Sequence, residues 1–191
     1  MTIESPMEFF AFTRWRKRLF NEVNSRDRVV LEIGVGSGKN IPFYGEGKFV
    51  AFDISEKMIS RAKARKRAKD KAVELLIADA EFMPFKDEAF DVIISTFTFC
   101  SIENPVNGLR ELFRVLKSDG QAFFLEHILP KNRILRAIFN LLNPVLRTLG
   151  PEINRKTDEN IKSAGFELVK EENLFLTVFW LFKAVKPIYR K

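Results

Sequence analysis

Short apolar runs alternate with segments of helical spacing over most of the chain. The runs predict five strands, at residues 29–33, 48–53, 73–78, 90–95 and 121–126. Helices are expected between them, notably over 55–70 and 105–117, because apolar residues recur there at three- and four-residue intervals. This alternation of strands and helices predicts a parallel, doubly wound sheet of the α/β class.

Two connections in this region have their own signals. Residues 37–43 predict a brief helix or turn that Pro42 limits. The tripeptide Ser118-Asp119-Gly120 predicts a turn that leads into the fifth strand.

The two ends of the chain add elements of a different kind. An amphipathic helix is expected over 6–23, within an N-terminal region of residues 1–24, because Ser5-Pro6 forms a good cap and first turn. Near the C-terminus, a helix over 157–164 is expected to end at Gly165.

Strands at 166–171 and 175–183 then predict an antiparallel hairpin on the sheet edge. The expected fold is a single domain over 1–191. It has a doubly wound, Rossmann-like sheet of seven mostly parallel strands with this antiparallel C-terminal hairpin.

An apolar insertion at residues 130–151 separates the fifth strand from the C-terminal elements. Pro144 is expected to break its helical pattern. Two interpretations remain open for this insertion. It is either a lid or extra helix pair that packs on the core, or an amphipathic surface that meets a membrane or an apolar substrate.

Composition limits the class of protein. A hydrophobic fraction of 46% in 191 residues excludes a disordered chain, and the single Cys100 excludes an intramolecular disulfide framework. No apolar run reaches the roughly 18–20 residues of a membrane span, and the N-terminus lacks the order of a signal peptide. A cytoplasmic protein is expected, with peripheral contact to a membrane surface left open.

The formal net charge of +7 is concentrated in one segment. Between Arg61 and Lys71 there are seven basic residues and one acidic residue, Asp70. Such a run is either a solvated helix face or a patch for anionic lipid or nucleic acid.

The most informative motif follows the first strand. Glycines at 34, 36 and 38 form a turn after Glu32, and Asp53 ends the second strand. Glycines allow the backbone to approach a ligand closely, and an acid at that position accepts hydrogen bonds from ribose hydroxyls. The Gly-x-Gly-x-Gly spacing differs from the dinucleotide fingerprint and, with Glu32, favours S-adenosylmethionine over NAD.

Four later motifs follow in order, at residues 52–58, 78–85, 90–97 and 114–120. Together with the glycine turn, they resemble the class I S-adenosylmethionine-dependent methyltransferases of the type 11 group, over roughly residues 27–171. The resemblance implies S-adenosylmethionine as the cofactor. The cofactor-binding residues that it implies are Glu32, Gly34, Gly36, Gly38, Asp53, Ile54, Met58, Asp79, Ala80, Glu81, Ser95 and Thr96.

Individual roles follow from that resemblance. Glu32 is expected either to meet the amino group of the cofactor or to anchor the loop. Asp53 is expected to bind the ribose, and Asp79 the adenine amino group. Phe97 lies where an aromatic ring could stabilise the methyl-bearing cation, and core packing is the alternative.

His127 is the candidate catalytic residue. It is the chain's one histidine, and it follows the fifth strand on the side where open α/β sheets bind ligands. It could take a proton from a thiol or phenol, or it could be a hydrogen-bonded residue at the strand end. Glu126 and Cys100 are weaker candidates, and no metal site is expected.

The acceptor is less defined by the sequence. Residues 124–127 and 154–157 are similar to the branch of thiol, phosphatidylethanolamine and quinone methyltransferases, although 150–153 depart from its usual run. A small hydrophobic or lipid-like partner is therefore expected. Nucleic acid is disfavoured because residues 95–99 lack the Asn/Asp-Pro-Pro-aromatic tetrad, which leaves RNA methyl transfer as a minor alternative. A nicotinamide-dependent oxidoreductase and a catalytically silent cofactor-binding partner also remain as alternatives.

Overall fold

A computed structural model of the protein describes residues 11–147 and 152–187. The strands are β1 (Val29–Ile33), β2 (Lys48–Asp53), β3 (Val73–Ile77), β4 (Phe90–Thr96), β5 (Leu116–His127), β6 (Glu167–Phe175) and β7 (Phe179–Val185). The helices are α1 (Thr13–Phe20), α2 (Glu56–Ala68), α3 (Pro105–Val115), α4 (Arg133–Arg147) and α5 (Thr157–Ser163), and Ile41–Phe43 form a 3-10 helix.

All seven strands belong to one sheet, in the order β3-β2-β1-β4-β5-β7-β6. Strands β1 to β5 are parallel, whereas β7 pairs antiparallel with both β5 and β6. The predicted fold class is confirmed. The order of the strands reverses between β1 and β4, and in open α/β sheets such a switch point marks the crevice where ligands bind.

The apolar strands are explained by burial on both faces of the sheet. In β5, the neighbouring residues Phe123 and Phe124 are both fully buried, in two different core clusters. Since successive side chains of a strand point to opposite faces, both sides of the sheet must be covered. The helices provide this cover, which is why the central strands read as continuous apolar runs.

The predicted bounds of β1 and β2 are confirmed, but the turn at Ser118-Asp119-Gly120 is wrong. These residues lie inside β5, as part of an irregularity in its pairing with β4. Leu116 pairs with Phe90 and Gln121 pairs with Val92, so four residues of β5 bulge opposite one residue of β4. The ladder resumes beyond the bulge, so the strand begins five residues earlier than predicted.

The C-terminal hairpin is present at the sheet edge, but its turn is displaced from the predicted place. The chain reverses at Leu176 and Thr177, whose φ values are +46° and +57°. Two residues with positive φ favour glycine or asparagine, and neither is present here to mark the turn. Phe175 therefore ends β6 instead of beginning β7.

Most helices agree with the sequence pattern. Ser55 caps α2, as expected, by accepting a hydrogen bond from the Met58 N–H at 3.4 Å. Helix α3 ends two residues before the predicted Lys117, and α1 ends three residues before the predicted position 23. The predicted start of α1 at Ser5-Pro6 lies outside the described residues.

Two residues of the basic run in and after α2 stabilise the fold through hydrogen bonds. Lys66 donates to the Val73 carbonyl oxygen and Lys71 to the Tyr44 carbonyl oxygen, each at 2.7 Å. These two lysines therefore hold the helix and the following loop against β3 and the 3-10 helix. The finding supports a structural interpretation for part of the run.

The insertion forms the single helix α4 in the described part of the chain, and the predicted break at Pro144 is wrong. A proline removes the hydrogen bond to the residue four positions before it. The helix nevertheless continues through Pro144 to Arg147, without the hydrogen bond that a residue with an N–H at this position would donate to the Asn140 carbonyl oxygen. Among the described helices, none is long and apolar enough to cross a membrane.

Candidate active site

Two clefts open where β1 and β4 end. Ile33 pairs with Ser95, so the loops after these neighbouring strands lie side by side. The first, the strand-end cleft, has about 600 Å³ and is lined by residues that follow β1, β2 and β3. The second, the aromatic cleft, has about 620 Å³ and is lined by Phe12, Phe97 and Phe179 among others. Both clefts are lined by Gly34, Gly36, Met58 and Phe97.

The glycine turn after β1 has two different reasons for lacking side chains. A Cβ at Gly34, where φ is +59°, would lie 2.4 Å from Thr98 Cγ2. A Cβ at Gly36 would meet no atom nearer than 3.9 Å, and this residue faces both clefts. Gly34 is therefore needed for packing inside the protein, whereas Gly36 leaves open space in which a ligand can approach the backbone.

Asp53 organises the strand-end cleft from the end of β2. Its Oδ2 accepts from the Gly36 N–H and its Oδ1 from the Ser55 N–H, both at 2.9 Å. The carboxylate thus fixes the glycine turn to the start of α2. Each carboxylate oxygen has a further lone pair, so Asp53 can also accept from ribose hydroxyls in the cleft, as predicted.

The opposite wall of the strand-end cleft follows β3. Asp79 Oδ1 accepts from the Glu81 N–H at 2.8 Å, and Glu81 Oε1 accepts from the Asn104 N–H at 2.9 Å. Ile54, although 70% exposed, lines the same cleft. The predicted residues that the fold gathers here are Gly34, Gly36, Asp53, Ile54, Met58, Asp79, Ala80 and Glu81.

Two predicted cofactor residues, Gly38 and Ser95, line neither cleft. A Cβ at Gly38 would lie 2.7 Å from Ile41 Cδ1, so this glycine allows the turn to pack on its neighbours. Ser95 is fully buried and donates to Glu126 Oε1 at 2.7 Å. Both residues support the site from inside the protein.

Glu32 is held in a buried network at the rim of the aromatic cleft. Its carboxylate accepts from Asn40 Nδ2 at 3.0 Å and from the Tyr44 hydroxyl. Burial raises the pKa of Glu32 to about 7, although the hydrogen bonds from Tyr44 and Asn40 and the charge of Arg16 oppose the shift. This geometry favours the anchoring role, because the network ties β1 to the loop that follows the glycine turn.

Glu126 fixes the bend after β4. Its Oε1 accepts from the Thr98 N–H at 3.0 Å as well as from Ser95, and burial raises the pKa of Glu126 to about 7. Thr98 Oγ1 also donates to the Ile33 carbonyl oxygen at 3.3 Å. Phe97 has a φ of +53° in this bend, a strained conformation for a residue with a side chain. The bend places Phe97 between the two clefts.

Rings from separate parts of the chain form the wall of the aromatic cleft. The Phe97 ring centroid lies 4.8 Å from that of Phe12 in the segment before α1, and 6.0 Å from that of Phe179 in β7. The guanidinium carbon of Arg16 lies 5.9 Å from the Phe97 ring centroid. The cleft therefore combines three phenylalanine rings with two basic residues, Arg16 and Lys39.

His127 ends β5 and lines the aromatic cleft. Its Nε2 lies 3.2 Å from the Glu152 carbonyl oxygen, and burial lowers the pKa of His127. Since a carbonyl oxygen only accepts, Nε2 carries the proton, and the neutral ring leaves Nδ1 able to accept one. His127 therefore fits both predicted interpretations. It is hydrogen-bonded at a strand end, and it is chemically able to act as a base.

Cys100 also lines the aromatic cleft, where burial raises the pKa of its thiol to about 11. Its Sγ lies 3.5 Å from the Phe97 carbonyl oxygen, to which it donates. A neutral thiol is a poor nucleophile, so Cys100 serves as a lining residue. The described residues contain no group of three or more histidines, cysteines, aspartates or glutamates that could hold a metal ion.

Arg16 and Thr98 line the clefts but are absent from the predicted set. For Arg16 a signal exists in the sequence: by their spacing, Phe12, directly before α1, and Arg16 and Leu19 within it share one side of the helix. A charge within an apolar helix face is a signature of a partner or a site. Thr98 follows a strand as an ordinary threonine, and no pattern distinguishes it.

The sequence of this chain is similar to sequences of known proteins. A family model described as a methyltransferase domain matches residues 31–124. The phosphatidylethanolamine N-methyltransferase of Cereibacter sphaeroides is 31% identical over 138 residues, which cover 71% of this chain and 68% of that protein. A thiol S-methyltransferase of Rattus norvegicus is 28% identical over 169 residues, which cover 82% and 69% of the two chains.

The fold is also shared with solved structures. A S-adenosylmethionine-dependent methyltransferase from Aquifex aeolicus superimposes with a TM-score of 0.67 at 19% identity. The match covers 94% of this chain and 93% of that one. At this identity the likeness shows the shared fold.

Proposed function

Because this chain belongs to the class I S-adenosylmethionine-dependent methyltransferases of the type 11 group, we propose that it methylates a small apolar or lipid-like acceptor bound in the aromatic cleft. One observation carries the proposal: the aromatic cleft adjoins the strand-end cleft at Gly34, Gly36 and Phe97. An acceptor and a methyl donor bound on the two sides of these residues would lie next to each other. Membership in this family sets aside the nicotinamide-dependent alternative.

The strand-end cleft fits the cofactor. Gly36 leaves space for close backbone approach, Asp53 offers oxygens to a ribose, and Asp79 offers a carboxylate to an adenine amino group. S-Adenosylmethionine supplies an electrophilic methyl group on a sulfonium. Methyl transfer is an in-line displacement, so the chain contributes chiefly by holding the acceptor in position and excluding water.

His127 is the proposed general base for an acidic acceptor. The Glu152 carbonyl oxygen holds the ring with Nε2 protonated, so Nδ1 is the basic nitrogen. As the acceptor sulfur or oxygen forms its bond to the methyl carbon, its proton passes to Nδ1. Nδ1 would hold that proton, while the bound donor would give up its methyl group and keep the electron pair of the broken carbon–sulfur bond as a neutral thioether.

The side chains that line the aromatic cleft support the proposal of an apolar acceptor. Phe12, Phe97 and Phe179 offer aromatic surface, and Ile153 adds an aliphatic side chain. Two relatives described above are named for a phospholipid amine and a thiol. Lipid amines, thiols and the quinone-type acceptors of the resembling branch share an apolar body with one reactive atom, which is the chemistry this cleft can hold.

The test is transfer of a labelled methyl group from S-adenosylmethionine to separated lipid, RNA and protein fractions of a cell extract. Label is expected in the lipid or small-molecule fraction. Phe179→Ala is expected to reduce this labelling, while Phe113→Ala, which alters a similarly half-buried ring that lines neither cleft, is the matched control. Labelling of RNA or protein alone would contradict the proposal, and tight S-adenosylhomocysteine binding without any transfer would indicate a catalytically silent protein.

A further inference from the structure

Helix α4 leaves an apolar face uncovered by the described part of the chain. Ile134, Ile138, Leu141 and Leu142 are 73%, 45%, 78% and 46% exposed. At about 100° per residue, these positions span an arc of about 100° on one side of the helix. Four large aliphatic side chains exposed in one arc form a contiguous apolar surface, which single exposed residues on a soluble protein do not.

The other side of α4 is tied to the protein by polar contacts. Asn143 Oδ1 accepts from the Ile153 N–H at 2.9 Å, and Asn140 Oδ1 accepts from Asn154 Nδ2 at 3.4 Å. Leu135 and Phe139 are half-buried on this side. The orientation of the helix is therefore fixed, and its apolar arc faces away from the body of the protein.

Charge identifies the kind of partner that fits this face. No aspartate or glutamate occurs between Glu126 and Glu152, whereas Lys131 and Arg133 are exposed at the N-terminal end of α4. An anionic bilayer satisfies both features, because it takes aliphatic side chains into its interface and attracts cations. A second copy of α4 would bring like charges together, and nucleic acid offers no surface for the aliphatic arc.

We propose that α4 docks on the surface of an anionic phospholipid bilayer. The helix lies in the interface, since its 15 residues are too few to span the bilayer. Docking also positions the site, because Ile153 lines the aromatic cleft and its N–H is bonded to α4. The bilayer surface then lies beside the cleft that would receive an apolar acceptor, a consequence that rests on the proposed function.

Flotation with vesicles tests the docking without cofactor or acceptor, so its failure is distinct from failure of the proposed chemistry. The intact protein is expected to float with vesicles of phosphatidylcholine and phosphatidylglycerol, and much less with phosphatidylcholine alone. The double variant Ile138→Asp/Leu141→Asp is expected to lose binding by about tenfold or more, because two charges replace aliphatic groups in the interface. Val169→Asp changes a similarly exposed residue on β6, at 50%, and is expected to float like the wild type.

A fluorescent label locates the contact. Leu141→Cys is labelled with an environment-sensitive maleimide; burial and a raised pKa slow the labelling of the native Cys100, and the wild type treated in the same way measures what remains. The emission is expected to shift to the blue only when anionic vesicles are added. The proposal is overturned if the wild type does not float, or if the double variant floats equally well. It is also overturned if the label is already shielded without vesicles, which would mean that the chain itself or a second copy covers the face.

Discussion

The strand-end cleft and the aromatic cleft are built in different ways. The strand-end cleft uses carboxylates and backbone groups that follow three adjacent parallel strands, with Asp53 holding the glycine turn through the Gly36 N–H. The aromatic cleft gathers Phe12, Phe97 and Phe179 from segments that are far apart along the chain. The first cleft is defined by short local motifs, whereas the second depends on how distant segments pack.

This difference distinguishes the properties that follow from the fold from the properties that depend on the side chains of this particular chain. A cleft at the switch point of a parallel sheet follows from the topology, so the place of the ligand site comes with the fold. The acceptor is chosen by side chains that the topology does not dictate. Substitutions in the two clefts should therefore have separable effects on donor affinity and on turnover.

The largest separable effect is expected at His127. Gln at this position keeps an N–H donor for the Glu152 carbonyl oxygen but has no basic nitrogen. For a thiol or phenol acceptor, His127→Gln is expected to lower turnover by about 100-fold or more, with little change in S-adenosylhomocysteine affinity. Single-turnover kinetics and calorimetry on the same preparation would measure both quantities.

The pH profile provides the control for this prediction. Because burial lowers the pKa of His127, wild-type turnover is expected to fall only on the acid side of the ordinary histidine value of 6.5. This acid limb should disappear in His127→Gln. If the variant keeps both the rate and the limb, His127 is a structural residue and the comparison between the clefts loses its chemical basis.

Two glycines give the next largest contrast, because they share a positive φ but differ in their surroundings. Gly34→Ala is expected to lower the free energy of unfolding by about 3 kcal/mol, since strain and overlap with Thr98 add together. Gly36→Ala should lose only about 1 kcal/mol, because its Cβ meets open space. Urea unfolding of both variants measures the difference, and equal losses would show that the overlap at Gly34 is relieved without cost.

An effect of comparable size, which depends on pH, is expected from the buried acid between the clefts. The pKa of Glu126 is raised from 4.5 to about 7 in the folded protein, so the folded state binds more protons than the unfolded state between these values. Its contribution to stability is therefore fully present below pH 4.5 and is lost as the pH rises through 7, by up to on the order of 3 kcal/mol.

The variant Glu126→Gln isolates this contribution. The free energy of unfolding, measured by urea titration at several pH values, should fall less steeply between pH 4.5 and 7 in Glu126→Gln than in the wild type. Glu74→Gln, at an exposed position on β3, should leave the slope as it is. An identical slope in Glu126→Gln would mean that Glu126 stays ionised in the folded protein.

The contrast between the two clefts also explains which features could be predicted from the sequence. Strands β1 and β2, the cap at Ser55 and the residues of the strand-end cleft all follow from local signals: apolar runs, turn glycines and an acid at a strand end. The hairpin turn at Leu176 and Thr177 carries no such signal, because side-chain-bearing residues occupy its positive-φ positions. The position of this turn is determined by how the two strands pair in the folded protein.

The residues of the aromatic cleft could not be predicted from local sequence patterns, for a related reason. Phe12 and Phe179 read as ordinary apolar positions of a helix and a strand, and only packing shows that their rings lie 5.7 Å apart. With 20 phenylalanines in the chain, composition cannot tell a wall residue from a core residue. Ser95 shows the converse, since a strand-end position that looks suited to a ligand is used to hold Glu126.

The central claim is that donor binding resides in one cleft and acceptor binding in the other. Calorimetry of S-adenosylhomocysteine with Asp53→Ala and Phe179→Ala tests it most directly. Asp53→Ala is expected to weaken binding by about 10- to 100-fold, because polar groups lose their partners. Phe179→Ala should stay within about twofold of the wild type, because this ring lines only the aromatic cleft. Unchanged affinity in Asp53→Ala, or an equal loss in Phe179→Ala, would contradict the separation of the two sites.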